Sequence, residues 1–448
     1  MDPKPDPTPF LRGLYDLLPP ERIAHILTAT GRQSRRTRRI PAEAATRLVV
    51  ALGLFADLPV PQVWRRLHPG ADTPDPVESA FCQARDRLGV PPLRRLFEEV
   101  ARPVATHQTA GATYRGWRLM GLDGTTLDLP DTPDNARVFG RPGGRADGAF
   151  PQARLLALCE LGTRAICGLA VKPGRRGEPV MAGPLVDRLG PGMLLLWDRG
   201  FFGLPLIDRV LRTGAHLLAR VPAYAILAPT RRLGDGSYLA ALYPSAGDRA
   251  AGRRGLEVRV IEYTHDDPHR PGCGQRNRLL TDLTDPEDLP AAEAPVVYHQ
   301  RWEQELAFDE LKTHLSGRDV PIRSKTPTRV VQEIYGLMLA YYLIRRVIHD
   351  AAVAGGVDPD RVPFADTLRV VWCRLPESPG VPAAAWYRDL VREVRRLRLR
   401  PRRERWYPRV VKRKMSNWGK KRADTCIHLS RPNPTDRQSL CLSEGHWV

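Results

Sequence analysis

Two short apolar runs, each closed by an aspartate, constrain this chain more than any other feature. Leu119-Met120-Gly121-Leu122 leads into Asp123, and Met193-Leu194-Leu195-Leu196-Trp197 leads into Asp198. A short continuous apolar run reads as a strand covered on both faces, which an α/β sheet provides. Ligands of open α/β sheets gather at the carboxyl ends of strands, so both acids are expected at one edge of one sheet. Gly124 and Gly200 follow closely, and glycine there would let a large ligand approach the backbone. Taken singly, each aspartate is readily explained as a strand end or a turn cap.

The surrounding chain changes character several times. Residues 1–19 are Pro-rich. Over 20–110 apolar residues recur at helical spacing: Ile23, Ile26 and Leu27, then Leu48, Val49, Leu52 and Phe55, then Leu93, Leu96, Phe97 and Val100. That predicts a helical domain, decorated by Arg32, Arg35, Arg36, Arg38 and Arg39. Over 111–221 strands come first. Trp117–Leu129 runs into a turn at Asp123-Gly124, and Arg154–Leu161 and Ala165–Val171 flank a Gly162-Thr163 hairpin turn. Helices over 178–189 and Leu204–Arg212 then alternate with strands Met193–Trp197 and His216–Val221, the order of an α/β domain. Residues 222–290 break that rhythm and read as a β-rich insertion, with strands at Leu256–Tyr263 and Arg276–Leu283. Strong helix returns over 291–316 and again over 328–353. The region 356–448 reads as basic, irregular from about 360, and no internal repeat is visible.

A third acid lies in the helical stretch after the insertion. Tyr298, Arg301, Glu305 and Lys312 are spaced by three, four and seven residues. At 3.6 residues per turn they share one helix face, an acid flanked by two cations. A solvated face with an Arg301–Glu305 pair explains the same pattern, and Glu303, Asp309 and Glu310 are equally ready surface charges. Leu306 and Phe308 are expected to pack this helix, and Trp302 to pack behind it. Two Asp and one Glu suit a pair of Mg²⁺ ions, which take oxygen ligands and catalyse phosphodiester chemistry. Arg301 and Lys312 would then hold phosphates. No GxSxG elbow, Walker A loop, HExxH pair or GxGxxG between strand and helix competes with this reading.

Charge points to the same class of partner. Lys and Arg number 69 against 50 for Asp and Glu, a net of +19 with a pI near 10.1. Such a surplus attracts polyanions. From Val391 to Arg422 there are 15 Lys/Arg and 2 Asp/Glu, with Trp406 and Tyr407 interleaved. Phosphate contacts and base stacking explain such a tail, and Arg405, Arg409, Lys412, Arg413 and Lys414 are its candidate DNA contacts. The longest strongly apolar stretch, Ile334–Ile344, is too short to span a bilayer and reads as core. The N-terminus carries no basic-then-apolar leader pattern, so no secretion is expected. Seven scattered cysteines without a CxxC pair suggest neither a disulfide framework nor a zinc site.

These motifs together match a family. Asp123-Gly124-Thr125, Trp197-Asp198-Arg199-Gly200-Phe201 and Tyr-x2-Arg-x3-Glu-x6-Lys at 298–312 resemble the DDE motifs of IS4-type bacterial transposases, the last being their YREK signature. Arg38-Arg39-Ile40-Pro41, Leu54-Phe55, Gln83-Ala84-Arg85-Asp86-Arg87-Leu88-Gly89 and Arg323-Ser324-Lys325-Thr326-Pro327 are similar as well. The resemblance covers residues ~20–425.

The resemblance implies an α/β fold: an RNase H-like catalytic core over 111–221 and 291–355, interrupted by the β-rich insertion 222–290. The helical DNA-binding domain 20–110 precedes it and the basic tail follows. It implies a DNA transposase that cleaves strands at insertion-sequence ends and transfers them into target DNA. Asp123, Asp198 and Glu305 would be catalytic and hold two Mg²⁺ ions, with Mn²⁺ a substitute. Tyr298, Arg301, Lys312 and the Arg35, Arg36, Arg38 and Arg39 cluster would contact double-stranded DNA. A homodimer in a synaptic complex, in the bacterial cytoplasm at the nucleoid, is expected. A decayed, DNA-binding repressor and an RNase H-like nuclease are the rival readings. One departure is the insertion, where hairpin-forming relatives carry a base-holding aromatic, often Trp. This insertion has no Trp, and offers Tyr224, Tyr238, Tyr243 and Tyr263.

Overall fold

The N-terminal apolar periodicity yields five helices in the computed structural model, which describes residues 18–68, 74–142, 149–253, 255–264, 274–316, 322–375 and 382–399. They are α1 (Pro20–Ala29), α2 (Ala42–Leu54), α3 (Val60–Leu67), α4 (Glu78–Leu88) and α5 (Pro91–Val100). Prolines at the first turns of α1, α3 and α5 set φ for helix entry without costing a hydrogen bond.

The strands follow: β1 (Thr113–Tyr114) and β2 (Trp117–Asp128), then, after α6 (Pro133–Phe139), the hairpin β3 (Gln152–Glu160) and β4 (Ala165–Pro173). Helices α7 (Glu178–Val186) and α8 (Leu204–Arg212) alternate with β5 (Met193–Trp197) and β6 (His216–Arg220). The insertion contributes β7 (Pro229–Arg232), β8 (Tyr238–Leu242), α9 (Ala246–Ala250), β9 (Leu256–Tyr263) and β10 (Asn277–Thr281). Helices α10 (Ala294–His299), α11 (Trp302–Asp309), α12 (Pro327–Gly355), α13 (Phe364–Arg374) and α14 (Ala383–Val394) complete the described chain.

The sheet order is β4-β3-β2-β5-β6-β10-β9-β8-β7, with β1 added to β2. β4, β3 and β2 are antiparallel, while β2, β5 and β6 are parallel. Three antiparallel strands whose innermost member starts a parallel series form the RNase H-like core. The insertion does not build a sheet of its own. β10 pairs antiparallel with β6, so the insertion's strands continue the core sheet past that edge.

Three expectations are corrected. β2 does not turn at Asp123-Gly124. It runs on to Asp128 because Gly124–Asp128 stay paired with β3, Gly124 facing Leu156 and Asp128 facing Gln152. The helix over 291–316 breaks at Gln300-Arg301 into α10 and α11, and α11 continues into a π-helical turn, Glu310–Leu315. The region after 360 is not irregular where described: α13 and α14 bury Leu368, Val371, Trp386, Leu390 and Val394 at helical spacing.

α12 is the spine. Its residues are buried nearly all round, as in a helix enclosed by protein. One apolar core joins α1–α5, α12–α14 and one face of β3 and β4. The α2–α12 crossing is tight. A Cβ on Gly336 would lie 2.3 Å from the Val49 carbonyl oxygen, and one on Gly53 would lie 2.4 Å from the Gly336 oxygen. Two facing glycines let these backbones touch.

Candidate active site

Register gathers the charged residues. In the parallel strands Leu122 of β2 pairs with Trp197 of β5, which pairs with Ala219 of β6. The next position is therefore Asp123, Asp198 and Arg220 across three neighbouring strands. Leu122, Trp197 and Ala219 enter the core on one face. Because strand side chains alternate, Asp123 and Arg220 project to the other, where α10 and α11 lie.

Local hydrogen bonds hold the two aspartates. Asp123 Oδ1 accepts from the Gly124 N–H at 2.8 Å. Asp198 caps the short 3-10 turn Arg199–Phe201, its Oδ1 accepting from the Gly200 N–H at 2.7 Å. Below them Trp197 is fully buried and stacks on Phe201 at 5.8 Å. Gly124 does not leave an open approach to the backbone as expected: an added Cβ would meet Glu178 Oε1 at 2.2 Å. Glu178 is held there by Arg154 at 2.7 Å.

α11 reaches the same place from above the sheet. Gln304 is buried over Gly121, where an added Cβ would lie 2.5 Å from its Oε1. Its Nε2 donates to the Ala157 carbonyl at 2.8 Å. Arg301 then bridges two of the acids, Nη1 to Asp123 Oδ2 at 2.9 Å and Nη2 to Glu305 Oε1 at 2.8 Å. Its Nε is buried without a hydrogen-bond partner. Lys312 Nζ donates to Thr125 Oγ1, two residues beyond Asp123 on the same strand face.

The electrostatics follow from burial. Asp123 is pushed up to about 6, first by burial, with Asp198 and Glu178 adding to the rise, while Arg301 and the Gly124 N–H oppose it. Tyr298 is pushed up to about 12 by burial, so its hydroxyl stays a donor at neutral pH. Burial works against the Arg301 charge, but Tyr298, Asp123 and Glu305 hold its proton more tightly than usual.

The donor set fits a hard divalent cation: carboxylate oxygens, net negative, around a place already occupied by positive charge. Among the described residues no three His, Cys, Asp or Glu side chains already close on one point, since Glu305 faces the Arg301 guanidinium. A cation between these acids would have to displace Arg301.

Asp123, Asp198, Tyr298, Arg301, Glu305 and Lys312 thus share one neighbourhood. Arg35, Arg36, Arg38 and Arg39 are exposed between α1 and α2, away from these strands in the chain order. Arg405, Arg409, Lys412, Arg413 and Lys414 lie outside the described residues. Trp302 does not pack behind the Glu helix: it is 40% exposed and stacks on His299 at 5.9 Å. Phe308 packs this helix as expected, with Ala307 beside it, while Leu306 is only half-buried. Of the four insertion tyrosines, Tyr238 is buried and Tyr243 and Tyr263 are half-buried, while Tyr224 is exposed. Tyr224 sits on a loop braced by Arg278, which donates to the carbonyls of Pro222, Ala223 and Ala225 at 3.0, 3.3 and 3.0 Å.

Sequence reasoning missed Arg220, Thr125, Glu178 and Gln304. Arg220 carried a usable signal, because it closes the apolar run Leu217–Ala219 as Asp198 closes Leu194–Trp197. Among the described residues no helix is long and apolar enough to cross a membrane.

Comparison with known proteins shows the family of the chain. A family model described as the insertion element 4 transposase N-terminal region matches residues 10–98, and one described as a transposase DDE domain matches residues 118–343. The chain is 32% identical over 418 residues to the transposase InsG for insertion sequence element IS4 of Escherichia coli (strain K12), covering 90% of this chain and 92% of that one. It is 27% identical over 228 residues to the putative transposase InsZ of the same organism, covering 50% of this chain and 75% of that one. Among solved structures, the piggyBac transposase synaptic complex with hairpin DNA has a TM-score of 0.44 and 13% identity, over 87% of this chain and 86% of that one.

Proposed function

This chain belongs to the DDE transposases, in the insertion-element 4 branch, and from that premise we propose that Asp123, Asp198 and Glu305 are its catalytic, metal-holding carboxylates. A DDE transposase is a divalent-metal-dependent enzyme that acts on DNA. The observation that supports the residue assignment is the register: Asp123 and Asp198 are neighbours across the β2–β5 pair, and Arg301 bonds Asp123 and Glu305 at once.

The metal is Mg²⁺, two ions, with Mn²⁺ able to replace it. When bound, it supplies a Lewis acid and an activated nucleophile for phosphodiester hydrolysis at the element ends and for transfer of the freed strand into target DNA. The protein's own groups position the DNA. Arg301, released from the carboxylates, offers a planar fork to a phosphate. Lys312, oriented by Thr125, offers a point charge. Tyr298 donates from a hydroxyl that stays protonated. Arg220, in register with Asp198, adds a third cation at the same edge. The cluster Arg35, Arg36, Arg38 and Arg39 and the tail cations Arg405, Arg409, Lys412, Arg413 and Lys414 extend the contact along double-stranded DNA, both terminal inverted repeats and target. Joining two ends calls for a homodimer in a synaptic complex, in the bacterial cytoplasm at the nucleoid.

The test pairs Glu305→Gln with Asp309→Asn, an exposed acid one turn along the helix. Glu305→Gln should bind element-end DNA normally while Mn²⁺ affinity falls and cleavage and strand transfer drop by several orders of magnitude. Asp309→Asn should keep all three. Full activity in Glu305→Gln would sink the assignment. Hydrolysis without any strand-transfer product from the natural protein would favour a nuclease, and DNA binding without cleavage a repressor.

A further inference from the structure

Beneath the exposed face of the Glu helix lies a buried ion network that the catalytic assignment does not use. Arg164 ends the β3–β4 turn with φ +55, a left-handed conformation that a bulky residue adopts only when its surroundings hold it there. Its side chain is 9% exposed and forks to two acids of one helix. Nε donates to Glu303 Oε2 at 2.6 Å, and Nη1 donates to Glu310 Oε1 at 2.7 Å. Glu310 also accepts from Arg345 of α12. The Tyr341 hydroxyl lies 3.0 Å from both Glu310 Oε2 and the Arg164 carbonyl oxygen, closing the ring back onto the turn.

The spacing gives the ring its meaning. Glu303 and Glu310 are seven residues apart and so share a helix face. Glu305 and Lys312 are also seven apart, and residue 305 is rotated about 200° from residue 303 at 100° per residue. Fixing Glu303 and Glu310 on Arg164 therefore turns Glu305 and Lys312 toward Asp123 and Thr125. Glu310 is also where α11 changes to the π-helical turn. A wider turn resets the phase of the residues after it, and such turns cluster at functional sites. Gln304, between the two acids, takes the remaining contact on Ala157.

We propose that Arg164 is a positioning residue for the reaction: its fork to Glu303 and Glu310 sets the rotation of the Glu helix that brings Glu305 to Asp123. This rests on the assignment of Glu305 as a metal-holding carboxylate. Groups that orient metal ligands typically change metal affinity about 10–100-fold when removed.

The experiment measures Mn²⁺ affinity by electron paramagnetic resonance on the full chain, together with DNA binding and thermal midpoint. The variants are Arg164→Lys, Glu303→Gln and Glu305→Gln, alone and combined. Lysine keeps the charge but cannot fork. Glu303→Gln weakens the less buried arm, so it reports even if Arg164→Lys does not fold. Each clamp variant should bind Mn²⁺ about 10-fold more weakly than the natural protein, with DNA binding retained. Combining either with Glu305→Gln should add no further loss, because the clamp acts through Glu305. Wild-type Mn²⁺ affinity in the folded clamp variants, or losses that add to that of Glu305→Gln, would overturn the clamp alone. Unchanged Mn²⁺ affinity in Glu305→Gln itself would overturn the site, and the clamp with it.

Discussion

Asp123 carries an ionisation cost that a denaturation series can read. Its carboxyl rises from an ordinary 3.8 to about 6, chiefly through burial, with Asp198 and Glu178 adding to it. The folded protein thus binds this proton more tightly than the unfolded chain does. By linkage, the contribution to stability is greatest below about pH 4 and is lost as pH rises through about 6. A rise of about two units corresponds to roughly 3 kcal/mol at ~1.4 kcal/mol per unit. The side chain is 19% exposed, so solvent screening removes little of it. Asp123→Asn cannot ionise and escapes the cost. Urea denaturation in chelator, at pH 4.5, 6 and 7.5, should show Asp123→Asn gaining on the natural protein by roughly 2–3 kcal/mol across that range. Added Mg²⁺ should shrink the gain, because bound metal stabilises the ionised carboxylate. Parallel stability profiles for the two proteins would refute the reasoning, and with it the buried setting of Asp123.

Three further outcomes are expected. Gly336→Ala adds a Cβ 2.3 Å from the Val49 carbonyl; overpacking of roughly 3 kcal/mol should outweigh the ~1 kcal/mol gain in helix propensity, lowering the urea midpoint. A neutral or stabilised variant would deny the close α2–α12 crossing. Lys312→Ala should weaken binding of element-end DNA, by filter binding or anisotropy, while Mn²⁺ affinity stays within about 2-fold, because a cation that donates to Thr125 serves the phosphates and is not itself a metal ligand; a large Mn²⁺ loss would remove it from the phosphate role. Removing residues 400–448 should flatten the salt dependence of DNA binding by about 0.9 in log–log slope for each phosphate no longer neutralised, and an unchanged slope would show that this segment touches no DNA.

What the sequence disclosed depended on how local the cause was. β5 and β9 were legible to the residue because their side-chain patterns are set by their own burial. The pairing of Asp123 with Asp198 was legible as two acids after two apolar runs. Asp123's place in mid-strand was not, because β2 continues only by pairing with β3, a partner some thirty residues away. α13 and α14 were missed for a similar reason: the core they pack on is shared with α12 and the N-terminal helices, partners that the local sequence does not announce. Glu303 and Glu310 read as surface charges, since nothing near them announces Arg164 or Arg345. Long-range ion pairs leave no periodic trace, so a buried acid on a charged helix looks like a solvated one.

The shared core around α12 also bears on the order in which the molecule can be made. α2, α4 and α5 pack against α12, yet Val100 and Pro327 are 227 residues apart. At ~5–20 residues per second, a ribosome needs roughly 10–45 s between finishing the first helices and supplying the surface that covers them. During that interval Leu48, Leu52 and their neighbours lack their final partner, and the chain depends on chaperones or on transient pairing to stay soluble. A premature stop before α12 leaves a fragment whose apolar face has lost the helix that covers it.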